Sequence, residues 1–300
     1  MILPASSRNI PIFPGLAGLG MEPSTRSERW PPIKLVALAA GLAPAVWLAA
    51  LALGGGLGAR PLKAAVNLTG DWSLYLLLAT LAVTPARQIL AAPRLVLGRR
   101  TLGLAAFGYV ALHLILYAFD LDLDLRRVGS EIVLRVYLTV GAVALLGFAA
   151  LAATSWDGAV RRLGGARWNR LHRLVHPCAL LSVVHFLLRS PTDTFEPMLL
   201  AGLLAWLTGY RLLRRWGEVG PERLVALALA AAALTAFAET MWHATATGID
   251  PWRILAAHLD VAFGLRPAWW VLIAGALAAG ARACRRSAAR HRADVPVTTA

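Results

Sequence analysis

The chain is short of charge. Asp, Glu, Lys and Arg make up 15% of its 300 residues, and only 16 of those are acidic; a soluble domain carries about 25% charged residues. So little polar surface cannot cover a folded core, which excludes an ordinary soluble globular protein. The same apolar bias excludes a disordered chain, and 26 glycines without a triplet period exclude a collagen-like one. Cysteine is almost missing. Cys178 lies inside an apolar run and Cys284 near the end of the last one, so there is no disulfide framework and no CxxC metal or redox motif. Cys178 reads as a small buried apolar residue. No GxGxxG follows a strand pattern, and there is no Walker loop or GxSxG elbow. Nucleotide-dependent chemistry therefore falls to another protein. The lack of an internal repeat argues against an inverted-repeat transporter, and no connecting segment is long enough to fold into a soluble domain.

What is present is hydrophobic length. Apolar residues form 58% of the chain and the mean hydropathy is +0.61. A helix needs about 20 such residues to cross the hydrocarbon core, and eight runs qualify: 33–53, 70–90, 101–120, 132–153, 168–188, 196–214, 222–243 and 266–284. The fold class is all-α, a polytopic transmembrane helical bundle of about eight spans. The second run, limited by Pro85 and Arg87, is expected to be short or tilted. The first is too long and too late to be a cleaved signal peptide. Residues 1–32, rich in Pro, Ser and Gly, are expected as a disordered tail, with Met21 an alternative start. Residues 33–215 form the main membrane domain, 216–284 a two-helix extension, and 285–300 a basic tail.

The net charge of +14 and pI near 11.3 would suggest nucleic acid in a soluble protein. Here the basic residues sit in short clusters between apolar runs, where they act as orientation signals, and no nucleic-acid partner is implied. With the N-terminus inside, the outer segments hold eight basic residues: Arg60, Lys63, Arg126, Arg127, Arg135, Arg189, Arg253 and Arg266. The other 22 of the 30 fall inside. The positive-inside rule then places both termini in the cytoplasm.

Direction gives the histidines a depth. His291 lies in the basic tail, His258 in the last outer loop and His243 at the outer end of span seven; these read as solvated or interfacial groups. His113, His172, His176 and His185 lie within spans, where ionisable residues are costly and face a bundle interior. Spans three and five both run outward, so His113 and His185 reach similar depths and form a candidate axial pair for haem iron. His172 lies 13 residues before His185, about 20 Å along a helix and about 140° around it. Pro177 between them is a candidate kink that would bring them nearer one face. His176, one turn from His172, is an alternative inner ligand. No histidine lies one membrane depth below His113; Arg99 and Arg100 stand there instead. For any one of these histidines alone, structural interhelical hydrogen bonding is the competing reading.

Several stretches resemble the MsrQ (YedZ) family within the ferric-reductase-like transmembrane group. They are Thr69-Gly70-Asp71-Trp72, Thr80-Leu81-Ala82-Val83-Thr84-Pro85, Arg99-Arg100-Thr101-Leu102-Gly103-Leu104, Leu112-His113-Leu114 and Thr154-Ser155. Arg162-Leu163-Gly164, Trp168-Asn169-Arg170-Leu171-His172-Arg173-Leu174-Val175 and His185-Phe186 complete the set, which spans about 66–213. The resemblance implies a haem b protein of the bacterial inner membrane that also uses FMN. It would pass electrons outward to MsrP, a periplasmic molybdopterin enzyme that reduces methionine sulfoxide in damaged proteins. By match, His113, His172 and His185 are the haem ligands, and Arg99 and Arg100 are associated with FMN; the competing reading of that pair is topology-setting charge. A cytoplasmic flavin reductase or the quinone pool is the implied donor. The chain departs from the family twice. Arg135-Val136-Tyr137 lacks the proline of the family's Lys/Arg-Pro-Tyr motif, and 222–284 adds two spans to the usual six. The rival functions are a haem ferric or quinone reductase with small acceptors, and a haem-free permease or scaffold whose histidines pack or relay protons.

Overall fold

In a computed structural model, residues 31–262 and 264–293 are described. The candidate start at Met21 and nearly all of the expected N-terminal tail lie outside them. Among the described residues the chain is entirely helical: α1 (Pro32–Leu53), α2 (Pro61–Ile89), a 3-10 turn (Pro93–Gly98), α3 (Arg99–Asp120), α4 (Leu125–Leu134), α5 (Val136–Ala153), α6 (Asp157–Leu163), α7 (Gly165–His172), α8 (Val175–Arg189), α9 (Phe195–Arg215), α10 (Pro221–Ala246), α11 (Pro251–Ala257) and α12 (Pro267–Ala293). The basic segment after 284, expected as a tail, continues α12 to Ala293. It is rich in Ala and Arg and contains no Gly or Pro to stop it.

Seven helical runs are long and apolar enough to cross a membrane; the 3-10 turn continues into α3, and α7 with α8 counts as one. The eighth expected span, α9, has the length at 21 residues but carries Glu196, Arg211, Arg214 and Arg215. It packs against α2, α8, α10 and α12 and buries Met198, Leu200, Leu204, Trp206, Leu207 and Tyr210. A helix surrounded by protein is not required to match the hydropathy of lipid-facing ones. The peripheral helices show the complement, with Val46, Leu146, Leu229, Phe237 and Leu277 all more than half exposed. In water these would be a liability; in a bilayer they are the lipid face.

The central α2 shows how proline and hydroxyls are accommodated. It is the longest helix among the described residues at 29 residues, not a short span, and Pro85 lies buried inside it. Pro85 has no N–H for the Leu81 carbonyl; Arg211 of α9 donates to that carbonyl instead, at 2.5 Å. Thr69 and Thr80 donate back to the carbonyls of Ala65 and Leu76, each at 2.8 Å. Polar groups thus cross the apolar interior without loose ends. The helix closes through Ala91 at φ 45°, with Ala92 N–H on the Arg87 carbonyl. Two arginines of α12 take the carbonyls left over: Arg282 donates to Gln88 O at 3.1 Å, and Arg285 donates to Leu90 O.

The expected interruption of span five is real but falls just before Pro177, at Arg173 and Leu174 between α7 and α8. The Arg173 carbonyl, which Pro177 cannot bond, accepts from the His176 backbone N–H at 3.1 Å. Span four begins at 136 and not 132, because Arg135 is extended (φ −108°, ψ 110°) and separates α4 from α5. Val136 is therefore the first residue of a helix and follows an extended residue, the setting that suits proline. Its N–H makes no backbone bond among those described. Val136→Pro should raise stability by about 0.4–1 kcal/mol through the unfolded chain. A thermal melt in detergent checks this; a lowered melting temperature would contradict the argument.

Candidate functional site

At the end of the bundle away from the main arginine clusters, α2, α3, α5 and α8 line a cavity that is partly open to the surroundings. Leu74, Val110, Leu145, Phe148 and Phe186 make its walls apolar, and His113 and His185 face it from α3 and α8. The ring centroids are 6.3 Å apart with planes at 89°. His113 Nδ1 lies 2.7 Å from the Val66 carbonyl, and His185 Nδ1 lies 2.6 Å from the Tyr137 carbonyl. A carbonyl oxygen only accepts, so each Nδ1 must carry the proton. Each Nε2 is then left with its lone pair, the form in which imidazole binds a metal. Metal–imidazole bonds run about 2.0–2.1 Å and the nitrogen sits about 1.1 Å from its ring centre, so two in-line imidazoles on one metal have centroids about 6.3 Å apart. The observed separation matches.

Two glycines make this arrangement possible. A Cβ on Gly70 would lie 3.0 Å from His113 Nδ1, and one on Gly141 would lie 2.8 Å from His185 Nδ1. Each ring rests on the bare backbone of a neighbouring helix, which brings its Nδ1 to the carbonyl. The cavity also holds one cation. Arg189 donates to Asn67 Oδ1 at 2.5 Å, stands 3.5 Å from the Asp71 carboxylate and lies 4.9 Å over the Phe186 ring.

The other candidate ligands are not brought to this pair. His172 stacks on Trp168 at 3.8 Å, and its Nε2 meets Thr154 Oγ1 at 3.1 Å. His176 Nε2 is enclosed but has no hydrogen-bond partner, and its Nδ1 lies 3.2 Å from the Arg173 carbonyl. Arg99 and Arg100 differ from each other. Arg100 bonds Asp157 at 2.7 Å, which holds that carboxyl below the usual carboxylate range, whereas Arg99 is half-buried with no hydrogen-bond or ion-pair partner among the described residues. Cys178 is buried, as its place in an apolar run suggests, and a side chain at Gly147 would collide with its sulfur.

A second polar centre was not expected from the sequence. Glu239 of α10 is 2% exposed and holds Arg266 at 2.8 Å and His258 Nε2 at 3.2 Å. His258, read as an interfacial loop residue, is buried; the segment around α11 folds it back over α10, and its carbonyl accepts from Trp269 Nε1 at 2.7 Å. The Glu239 carboxylate holds the His258 imidazolium above the ordinary histidine range, against burial and Arg266. His243 is also engaged, with Nε2 3.0 Å from Thr194 Oγ1.

The fold defines a polytopic helical-bundle membrane protein with two imidazoles facing one apolar cavity. The family model described as "Ferric reductase like transmembrane component" matches residues 69–183, from the α2 floor of the cavity nearly to His185. A protein-methionine-sulfoxide reductase heme-binding subunit MsrQ of Rhodospirillum rubrum is 46% identical over 180 residues, covering 60% of this chain and 86% of the relative. The MsrQ proteins of Caulobacter vibrioides and Polaromonas naphthalenivorans are 42% and 39% identical over 81% and 82% of their lengths. The chain belongs to the MsrQ family. No solved structure matches it.

Proposed function

We propose that this chain is a membrane electron-transfer subunit that holds haem b between His113 and His185 and delivers electrons to a periplasmic MsrP-type molybdopterin enzyme that reduces oxidised methionine. The relatives' names give the heme-binding role and the reductase system. The observation that carries the reading is the pair of imidazoles 6.3 Å apart, each with Nδ1 fixed on a carbonyl. A haem ligated by two imidazoles supplies a one-electron couple. The chain's residues do the rest: His113 and His185 orient two lone pairs, the apolar walls exclude water, and Arg189 offers a cation to the haem carboxylates. The basic clusters support a bacterial inner-membrane protein with both termini cytoplasmic and this cavity toward the periplasm. The chain's own role is electron delivery, not methionine sulfoxide chemistry.

On the cytoplasmic side the proposed donor is a flavin reductase or the quinone pool. Of the candidate inner ligands, His176 presents an unoccupied Nε2 while His172 is engaged by Thr154. An FMN phosphate near Arg99 and Arg100 would find Arg99 open and Arg100 already on Asp157, so the two do not form a ready fork. An optical redox titration of the purified protein with haem quantitation tests the main reading. At least one low-spin b-type haem per chain, with both axial positions filled, is the expected result; protein purified without haem would favour the scaffold or permease reading. Reduction of small ferric or quinone acceptors, with no electron transfer to an MsrP-type partner, would instead favour the ferric or quinone reductase.

A further inference from the structure

At the opposite end of the bundle, a second pocket with about 740 Å³ of empty space lies between the end of α2, the last turn of α9 and the second half of α12. Three guanidiniums line it, those of Arg87, Arg214 and Arg282, against one carboxylate, Glu218. Glu218 is 73% exposed and stands 3.8 Å from Arg282, too far and too wet to neutralise the group. Arg87 is half-buried and has no hydrogen-bond or ion-pair partner among the described residues; Arg214 has only a long contact of 3.5 Å to the Gly217 carbonyl. The floor is fixed. Tyr210 donates to Gln88 Oε1 at 2.8 Å, which turns the Gln88 amide nitrogen into a further donor, and Arg282 is anchored on the Gln88 carbonyl at 3.1 Å. The pocket is therefore rich in donors and positive charge and poor in acceptors.

Its complement is an oxyanion with several acceptor oxygens, and guanidinium forks favour phosphate over other anions. The pocket lies where α2, α9 and α12 reach the basic end of the bundle, the level of lipid head groups. Basic pockets between spans on the cytoplasmic side are the sites at which anionic head groups bind. We propose that it binds the phosphate of an anionic phospholipid of the cytoplasmic leaflet. The lipid would join Arg87 of the family core to Arg282 of the added helices, two parts otherwise linked here by hydrogen bonds to the end of α2. This assignment rests on the orientation given above but not on haem binding.

The test uses the full chain in nanodiscs of phosphatidylcholine with and without phosphatidylglycerol, followed by native mass spectrometry of retained lipid. Phosphatidylglycerol should be retained in preference to phosphatidylcholine. At about 1 kcal/mol for each basic group near anionic lipid, Arg87→Gln should weaken retention about 5-fold, and Arg87→Gln with Arg214→Gln and Arg282→Gln about 100-fold. Haem content should not change in either case, which separates this result from the fate of the haem reading. Arg87 has no protein partner to lose, so the single variant guards against misfolding of the triple one. Equal retention of the two lipids, or retention unchanged in Arg87→Gln, would overturn the proposal. Binding of FMN instead, detected by its fluorescence and lost in the same variants, would assign the phosphate to a soluble nucleotide and overturn the lipid.

Discussion

His113→Ala and His185→Ala should each lower bound haem by at least about 10–100-fold, the scale seen when even supporting groups of a metal site are removed. Each imidazole is held by a carbonyl on a neighbouring helix, His113 by Val66 of α2 and His185 by Tyr137 of α5. Neither can take over the other's position. Gly141→Ala should have a comparable effect without touching a ligand, because the new methyl would sit 2.8 Å from His185 Nδ1 and displace the ring from its carbonyl. His291→Ala, at an exposed position on α12, is the control and should leave haem unchanged. The reduced-minus-oxidised spectrum with pyridine haemochrome quantitation reads all four. A wild-type spectrum from both His113→Ala and His185→Ala would sink the site.

Arg266→Ala should be the most destabilising change outside that cavity. Glu239 is buried, and Arg266 is its closest cation at 2.8 Å. Removing one partner of a buried ion pair costs about 3–5 kcal/mol, because the remaining charge loses compensation, although His258 at 3.2 Å retains part of it here. Arg266 is 31% exposed, which places the expectation at the lower end of that range. A helical melt by circular dichroism in detergent measures it, and a change under about 1 kcal/mol would refute the argument. Glu239→Gln with Arg266→Gln should recover part of the loss above the His258 pKa, since it leaves no buried carboxylate without its cation. The same cluster carries a pH dependence. His258 has its pKa raised above 6.5 in the fold, so its contribution is complete below about pH 6.5 and is lost as pH rises through the raised value. The segment around α11 should therefore loosen on the alkaline side, seen as faster amide exchange over 251–259 with α10 itself unaffected.

These two centres differ in how far the sequence revealed them. His113 and His185 could be paired beforehand because basic clusters set the direction of spans three and five, and direction converts position into depth. The glycines opposite them could not, since Gly70 and Gly141 are informative only once the facing ring is known. The break before Pro177 followed from the missing N–H. Arg211 filling the place left by Pro85 did not, because the two residues are far apart in sequence and belong to different spans. Glu239 was overlooked for a related reason. The run Glu239-Thr240-Met241-Trp242-His243 has the composition of a helix end at the interface, and its partners lie beyond a loop whose fold-back has no local signal. The span boundary at 132 failed on Arg135, whose extended backbone separates an interfacial helix from a membrane one.

The position of α9 inside the bundle bears on how the protein is made. A helix less apolar than the seven runs that qualify as spans inserts less readily alone, and part of its shielding comes from α10 and α12, which are synthesised after it. Insertion of α9 should then wait for the helix that follows, the two entering the bilayer as a hairpin. A chain stopped after Arg215 should leave α9 partly outside the membrane, open to protease or to a cysteine-reactive label placed at Thr208. The added C-terminal helices would in that case be a requirement of biogenesis, and the six-span core of this chain could not be recovered by cutting them away.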